Sequence, residues 1–335
     1  MNGCSRFGPY QALEDLRLAS GDESIDNQFF VEDKAVLGLA AFPAISSSGK
    51  YAVIVVAKES VIAPAPLRLA SLTADFGLLS TLVGGDGSVP MRVSVLRCTS
   101  TEPVVREIFS DLSNSLCRQL RHGTTEQELS DLVLNWAGVF ARLRKSTNTD
   151  ITGLCGELAV ISRSEYPDEW ISGWRRRVND VVDFQFTSRN GSVEVKTSVG
   201  KERIHSFSYE QLVDRPEKHP IVASVLINFS QGTTMSDVIR SLIDRVSEDR
   251  NRVKVWEVLT QTCGNGLEDF LAREIDWISA LSNIRFYLSA SLPTPMLAGP
   301  LPDGVSRLKF TINMRVAEAL ESDHVEALLG VGQTI

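Results

Sequence analysis

Cysteine and histidine are sparse in this 335-residue chain: five cysteines and four histidines. Cys4, Cys98, Cys117, Cys155 and Cys263 are odd in number, far apart and without a Cys-x-x-Cys pair, which argues against a disulfide framework and reads as reduced thiols. His122, His205, His219 and His324 show neither His-Glu-x-x-His nor finger spacing, so a zinc site is not expected. Long apolar runs are also missing, the longest strand-like one being "YAVIVVA" from Tyr51, and the N-terminal stretch lacks a basic start followed by an apolar block. The expectation is a soluble cytoplasmic protein without a membrane segment. "SSSGKY" at Ser46 lacks the leading Gly and the closing Ser/Thr of a phosphate-binding loop, "GNGLED" at Gly264 lacks the third Gly of a dinucleotide fingerprint, and no Gly-x-Ser-x-Gly elbow occurs.

What is present is a globular composition, 43% hydrophobic with a mean hydropathy near zero, in a chain long enough for about two domains. The net charge of −8 argues against indiscriminate coating of nucleic acid, yet it is compatible with a carboxylate-centred site that has only a basic rim. Residues 1–100 read as a β-rich accessory domain, with strands expected at "AVLGLAAF", "YAVIVVA", "PLRLASL" and "MRVSVLRC". Residues 101–147 read as a helical connector. Residues 148–235 alternate helix, strand, strand, capped helix and strand, and residues 236–335 continue as an α/β extension. The fold class expected is therefore mixed α/β (α+β) rather than a bundle or a sandwich.

The stretch "DFQFTSRNGSVEVKTS", Asp183 to Ser198, reads as a hairpin, because apolar and polar residues alternate on both sides of the turn-forming Asn190-Gly191. The alternation puts Asp183 on one strand and Glu194 and Lys196 on the other on a shared face, with Val193 and Val195 directed to the core. An acid two residues before a lysine occurs twice, at Glu32/Lys34 and Glu194/Lys196, about as often as composition alone would give. Context separates them: Asp33 in the first pair would carry a charge into the core, whereas Val195 is a natural inward residue. The second pair is also preceded by a helix carrying Glu157 and followed by "SYEQL", where Ser208 and Gln211 fit a capping box. Phosphodiester hydrolysis needs hard oxygen ligands for a divalent cation, a positioned water and cationic help for the developing charge, and this set can supply them.

"GLCGELAVI", "VVDFQF", "VEVKTS", "IHSFSYEQL" and "LPDGVSRLKFTINM" resemble, in that order, a bacterial family of PD-(D/E)XK (restriction-endonuclease-like) proteins found near DNA methyltransferases and ATPases in phage-defence and restriction loci. The resemblance runs from about residue 30 to about residue 320 and departs from the superfamily name in having Val182 where the proline would stand. It implies a restriction-endonuclease-like core whose mixed sheet is flanked by helices, acting as a Mg²⁺-dependent DNA endonuclease with Mn²⁺ as a substitute. Asp183 and Glu194 would be metal ligands together with the Val195 carbonyl, Lys196 the catalytic lysine, and Glu157 an accessory acid. DNA would be the substrate, with a methyltransferase and ATPases of the same locus as partners and a homodimer for double-strand cleavage. The competing class is a non-catalytic DNA-binding or assembly subunit. Arg175, Arg176 and Arg177 are candidate phosphate contacts or a solvated helix end, and Gln211 a candidate DNA contact or a cap; His205 reads as structural.

One spacing sets a condition on all of this. A strict two-residue turn at Asn190-Gly191 would pair Thr187 with Glu194 and leave Asp183 about 13 Å along the strand, too far for one cation. The spacing therefore predicts a bulge or an asymmetric loop near Ser188–Ser192 that brings Asp183 beside Glu194.

Overall fold

A computed structural model describes residues 9–20, 25–32, 38–85, 87–143, 151–175, 182–212, 220–296 and 308–332. The four sequence segments group into two compact units, Met1–Thr147 with Arg252–Leu267, and Asn148–Asn251 with Glu268–Ile335. The 101–147 helices thus fold with the β-rich region, and a return segment from the C-terminal part completes that unit.

The first unit contains α1 (Pro9–Ala19), β1 (Gln28–Val31), β2 (Ala41–Ser46), β3 (Tyr51–Val55), β4 (Leu67–Arg68), β5 (Leu72–Gly84), β6 (Gly87–Cys98), α2 (Pro103–Gln119) and α3 (Glu126–Arg142). The strands pair in the order β1-β2-β3-β6-β5-β4, and a parallel β1–β5 pairing closes five of them into a ring. Alternate residues such as Phe29 and Val31, Phe42 and Ala44, Ala52 and Ile54, and Val93 and Val95 form one core cluster, as period-2 patterning requires. Strand β5 was not among the strands expected. Its pattern is broken by a register shift between Asp75 and Leu78, where Gly77 takes φ +62°. The first expected strand begins at Ala35, where residues 35–37 lie outside the described residues; the described strand runs over Ala41–Ser46. On the outside, Tyr10 of α1 stacks on Tyr51 at 4.3 Å, and Thr125 and Glu128 close a capping box at the start of α3.

The second unit runs α4 (Ile151–Arg163), α5 (Pro167–Gly173), β7 (Phe184–Gln185), β8 (Ser192–Val199), β9 (Ile204–Ser208), α6 (Tyr209–Leu212), β10 (Pro220–Ile227), β11 (Thr233–Thr234) and α7 (Met235–Arg245). Helix α8 (Asp249–Cys263) begins here and continues into the first unit. There follow α9 (Leu267–Ala272), β12 (Glu274–Ile275), α10 (Trp277–Ser282), β13 (Arg285–Leu288), β14 (Lys309–Asn313) and α11 (Ser322–Leu329). The main sheet is mixed, in the order β13-β10-β8-β7, with β8 and β10 parallel at its centre and antiparallel strands at both edges. Strand β10 is apolar nearly throughout because it is buried on both faces, the usual mark of a central strand. A separate ribbon of β9 and β14 carries Phe207 and Ile312 into a cluster with Val222, Tyr287 and Met314, which fixes β9 and the short helix after it against the sheet.

Helix α4 lies directly on β8 and β10. The closeness depends on Gly156: a Cβ there would stand 1.8 Å from Thr197 Oγ1 and 3.0 Å from Thr197 Cβ. Because Gly156 precedes Glu157, the same contact sets the height of that carboxylate over β8. Gly156→Ala is expected to destabilise the protein by roughly 1–3 kcal/mol, the usual range for overpacking. Urea unfolding of the variant beside wild type measures it, and an unchanged midpoint would contradict this packing account.

Candidate active site

The decisive geometry is the β7–β8 ladder. Phe184 faces Val193 and Gln185 faces Ser192, and the loop between them is closed by Phe186 N–H donating to the Gly191 carbonyl at 2.8 Å. The tight Asn190-Gly191 turn read from the dipeptide is thus replaced by a wider loop in which Asn190 alone takes positive φ, +50°. The strand expected to continue through Thr187 stops at Gln185. This register places Asp183 across from Glu194, as the offset condition required. The Val195 N–H donates to Asp183 Oδ2 at 2.7 Å, locking the side chain over β8.

Glu194 and Lys196 project on one face of β8, and Lys196 Nζ lies 2.7 Å from Glu194 Oε1. Gln211 joins them: its Nε2 donates to Glu194 Oε1 at 2.5 Å, while its Oε1 accepts from Lys196 Nζ at 3.3 Å and from the Ser208 N–H at 2.9 Å. The capping bond at the start of α6 therefore orients the amide that holds the lysine and the acid. The ammonium of Lys196 also stands 5.2 Å from the Phe207 ring centroid. Phe207, which sequence reasoning did not single out, is buried at an inward position of β9, and that alternation was its only signal.

Glu157 is 4% exposed, so its carboxylate must be partnered. Arg175 donates to it from Nε at 2.8 Å and from Nη2 at 2.6 Å, and the Trp174 indole N–H donates to Oε2. Arg175 was expected on a phosphate or in solvent; its guanidinium forms a two-pronged ion pair with this acid. Its backbone N–H donates to the Asp183 carbonyl at 2.8 Å, and its φ of +41° is the left-handed region, on the order of 1 kcal/mol of strain for a non-glycine residue. Trp174 was missed as a site residue; it is fully buried and bridges to Phe184 beside Asp183. Arg176 and Arg177 lie outside the described residues, as do Asp33 and Lys34 of the competing acid-x-lysine pair, whose Glu32 is exposed.

Behind the face, His205 contacts Ser198 Oγ through Nδ1 at 3.1 Å and Ser224 Oγ through Nε2 at 2.7 Å. Burial, with Lys196 and Arg203 adding, pushes its pKa down to about 4, so it is a neutral, fully bonded histidine. The acids respond in the opposite sense. Burial, then the charges of Glu194 and Glu157, raise Asp183 to about 8, against smaller opposing effects of the Val195 N–H and Arg175. Burial raises Glu194 to about 7, with Glu157 adding and Lys196 and Gln211 opposing. Among the described residues no three His, Cys, Asp or Glu side chains converge on one cation position. The donor chemistry nevertheless fits a hard divalent cation: two facing, buried carboxylates offer hard oxygen donors and carry more negative charge than the single Lys196 beside them offsets.

A family model described as "Putative PD-(D/E)XK family member, (DUF4420)" matches residues 39–315, most of the chain. The chain belongs to this family. No curated protein and no solved structure matches it. Membership of the PD-(D/E)XK family is consistent with a restriction-endonuclease-like fold, which the mixed sheet and its helices carry, and points to a nuclease-like function.

The raised acid pKa values make a stability prediction. Asp183 titrates near 4 in an unfolded chain and near 8 here, so between those values the folded state binds more protons and stability falls as pH rises. In EDTA, the wild-type Tm is expected to drop between pH 5.5 and 8.5. Asp183→Asn should lose less over that interval and exceed wild type at pH 8.5. Parallel Tm–pH curves for the two proteins would contradict the assignment.

Proposed function

We propose that this chain is a divalent-metal-dependent endodeoxyribonuclease of the PD-(D/E)XK type. The observation that carries the reading is the ladder register that sets Asp183 opposite Glu194, with Lys196 two residues further along the same face and Gln211 tying the lysine to the acid. Asp183, Glu194 and the Val195 carbonyl would hold Mg²⁺, or Mn²⁺ in its place. The ion would supply Lewis acidity at the scissile phosphate.

The chain's own groups do the rest. Lys196, held by Glu194 and Gln211, orients the attacking water and offsets charge as the phosphorus centre becomes pentacovalent. Gln211 keeps the ammonium within reach of the acid while its own orientation is fixed by the Ser208 N–H. Glu157, braced by Arg175 and Trp174, would be the accessory acid beside the cation, and Arg176 and Arg177 are proposed as phosphate contacts toward DNA.

No helix among the described residues is long and apolar enough to cross a membrane. A cytoplasmic role in bacterial restriction or phage defence is proposed, alongside a DNA methyltransferase and ATPases of the same locus, with a homodimer when both strands are cut. A second reading, a DNA-binding or assembly subunit that keeps the fold without cleaving, is favoured by one observation: Glu194 Oε1 is already taken by both Lys196 and Gln211.

Supercoiled plasmid incubated with the purified protein and Mg²⁺ or Mn²⁺ should be nicked or linearised. Asp183→Ala should abolish this, Lys196→Ala should slow it by about 10²-fold or more, and Glu32→Ala should leave it unchanged. Cleavage that survives Asp183→Ala would remove the site, and a wild type inert with either ion on DNA would favour the subunit reading.

A further inference from the structure

Four polar side chains, Arg203, Ser224, His205 and Ser198, form a chain of hydrogen bonds from the interior of the second unit to the hydrolytic face. Arg203 is 8% exposed; its Nη1 donates to the Ser224 carbonyl at 2.6 Å and to Ser224 Oγ at 3.0 Å, and its Nη2 donates to the Asn283 carbonyl. A guanidinium only donates, so the direction of its bond to Ser224 Oγ is fixed. Ser224, on the central strand β10, is fully buried, and its own hydroxyl proton needs an acceptor. Among the described residues the atom placed to take it is His205 Nε2, 2.7 Å away. Nε2 is therefore the bare nitrogen of the ring.

His205 is neutral near pH 7, and a neutral imidazole whose Nε2 accepts carries its proton on Nδ1. Nδ1 faces Ser198 Oγ at 3.1 Å, so the ring donates to that oxygen. The Ser198 proton is then left to turn outward. The competing acceptor, the Ile204 carbonyl, lies at 3.5 Å, the far limit of a hydrogen bond. In the other tautomer Ser224 would keep an unpaired buried proton and Ser198 would spend its own proton on Nδ1. Each bond sets the direction of the next, so a cation held in the interior decides which way a hydroxyl at the face points. The chain contains a cation and no carboxylate, a polarity that favours an anion at its outer end.

Ser198 stands where that proton can meet a substrate. It follows Glu194 and Lys196 at period two on β8, which puts it on their face and roughly 7 Å beyond Lys196. It is half-buried, and the strand emerges from the fold immediately after it, with Val199 57% exposed. We propose that Ser198 is a substrate-binding residue that donates to a non-bridging oxygen of the phosphate next to the scissile one, and that His205, Ser224 and Arg203 are positioning residues that keep its proton turned outward. The identity of the anion rests on the proposed nuclease function; the direction of the hydrogen bonds does not.

Two measurements on the full-length protein test it. Long-range proton–nitrogen correlation of the imidazole rings at pH 7, with the His205 signals identified by their loss in His205→Gln, should show a protonated Nδ1 and a bare Nε2, and Ser224→Ala should change that pattern. A protonated Nε2 in wild type overturns the proposal. Binding of a short DNA duplex, followed by fluorescence anisotropy with Ca²⁺ in place of Mg²⁺, should weaken by roughly tenfold in Ser198→Ala and by less than about threefold in Ser198→Thr, which keeps the hydroxyl, with the Tm of both near wild type. With Mg²⁺ the loss in Ser198→Ala should appear in KM, with kcat close to wild type. A wild type that does not bind the duplex overturns the nuclease reading; a wild type that binds it no better than Ser198→Ala does overturns this proposal alone. Should Ser224→Ala fail to fold, the wild-type tautomer and the half-buried Ser198 variants still decide.

Discussion

Everything at the proposed catalytic face depends on the register of one two-rung ladder. With Phe184 opposite Val193, Asp183 falls opposite Glu194 and its carboxylate is caught by the Val195 N–H. A shift of one residue would turn Asp183 to the other face of the sheet, because side chains alternate with period two. The register is held from both ends. On one side the Phe186-to-Gly191 bond closes the loop; on the other, Trp174 and Arg175 add an irregular rung against Phe184 and Asp183. The strained φ of Arg175 belongs to that second clamp, and it is offset by the two-pronged ion pair the residue then makes with Glu157.

The register has an electrostatic consequence. Two largely desolvated carboxylates face each other with a third acid below, and one ammonium and one guanidinium are shared among the three. The guanidinium is committed to Glu157 and the ammonium to Glu194, while the Asp183 carboxylate accepts from the Val195 N–H. A charge arrangement so uneven destabilises the fold at neutral pH, a pattern more often met at functional sites than in structural ion pairs. Gln211 links the amide cap of a four-residue helix to the lysine, so a local capping interaction also positions Lys196.

Much of this was legible in the sequence, for identifiable reasons. The period-2 pattern of Val193, Glu194, Val195 and Lys196 survives because β8 is a regular strand with apolar and charged side chains on opposite faces, and the continuous apolar run from Ile221 survives because β10 is buried on both. The reading of His205 as a bonded structural residue agrees with its two serine contacts. What misled was local propensity. Asn190-Gly191 is the strongest short hairpin signal available, yet the tertiary demand on Asp183 and the clasp between β7 and its neighbours impose a longer loop, with Ser188 Oγ donating to the Leu329 carbonyl of α11. Strand β5 was missed because its bulge at Gly77 breaks the alternation, and the partnership of Glu157 with Trp174 and Arg175 could not be read because it joins a helix to an irregular segment that no periodicity describes.

Calorimetric titration of Mn²⁺ into the metal-free protein at pH 7, repeated in two buffers of different ionisation enthalpy, tests the central claim that Asp183 and Glu194 form a cation site. Because both acids titrate near or above neutrality, binding is expected to release on the order of one proton per ion, and Asp183→Asn to abolish both the binding and the release. Absence of binding, or binding with no proton release that persists in Asp183→Asn, would contradict it.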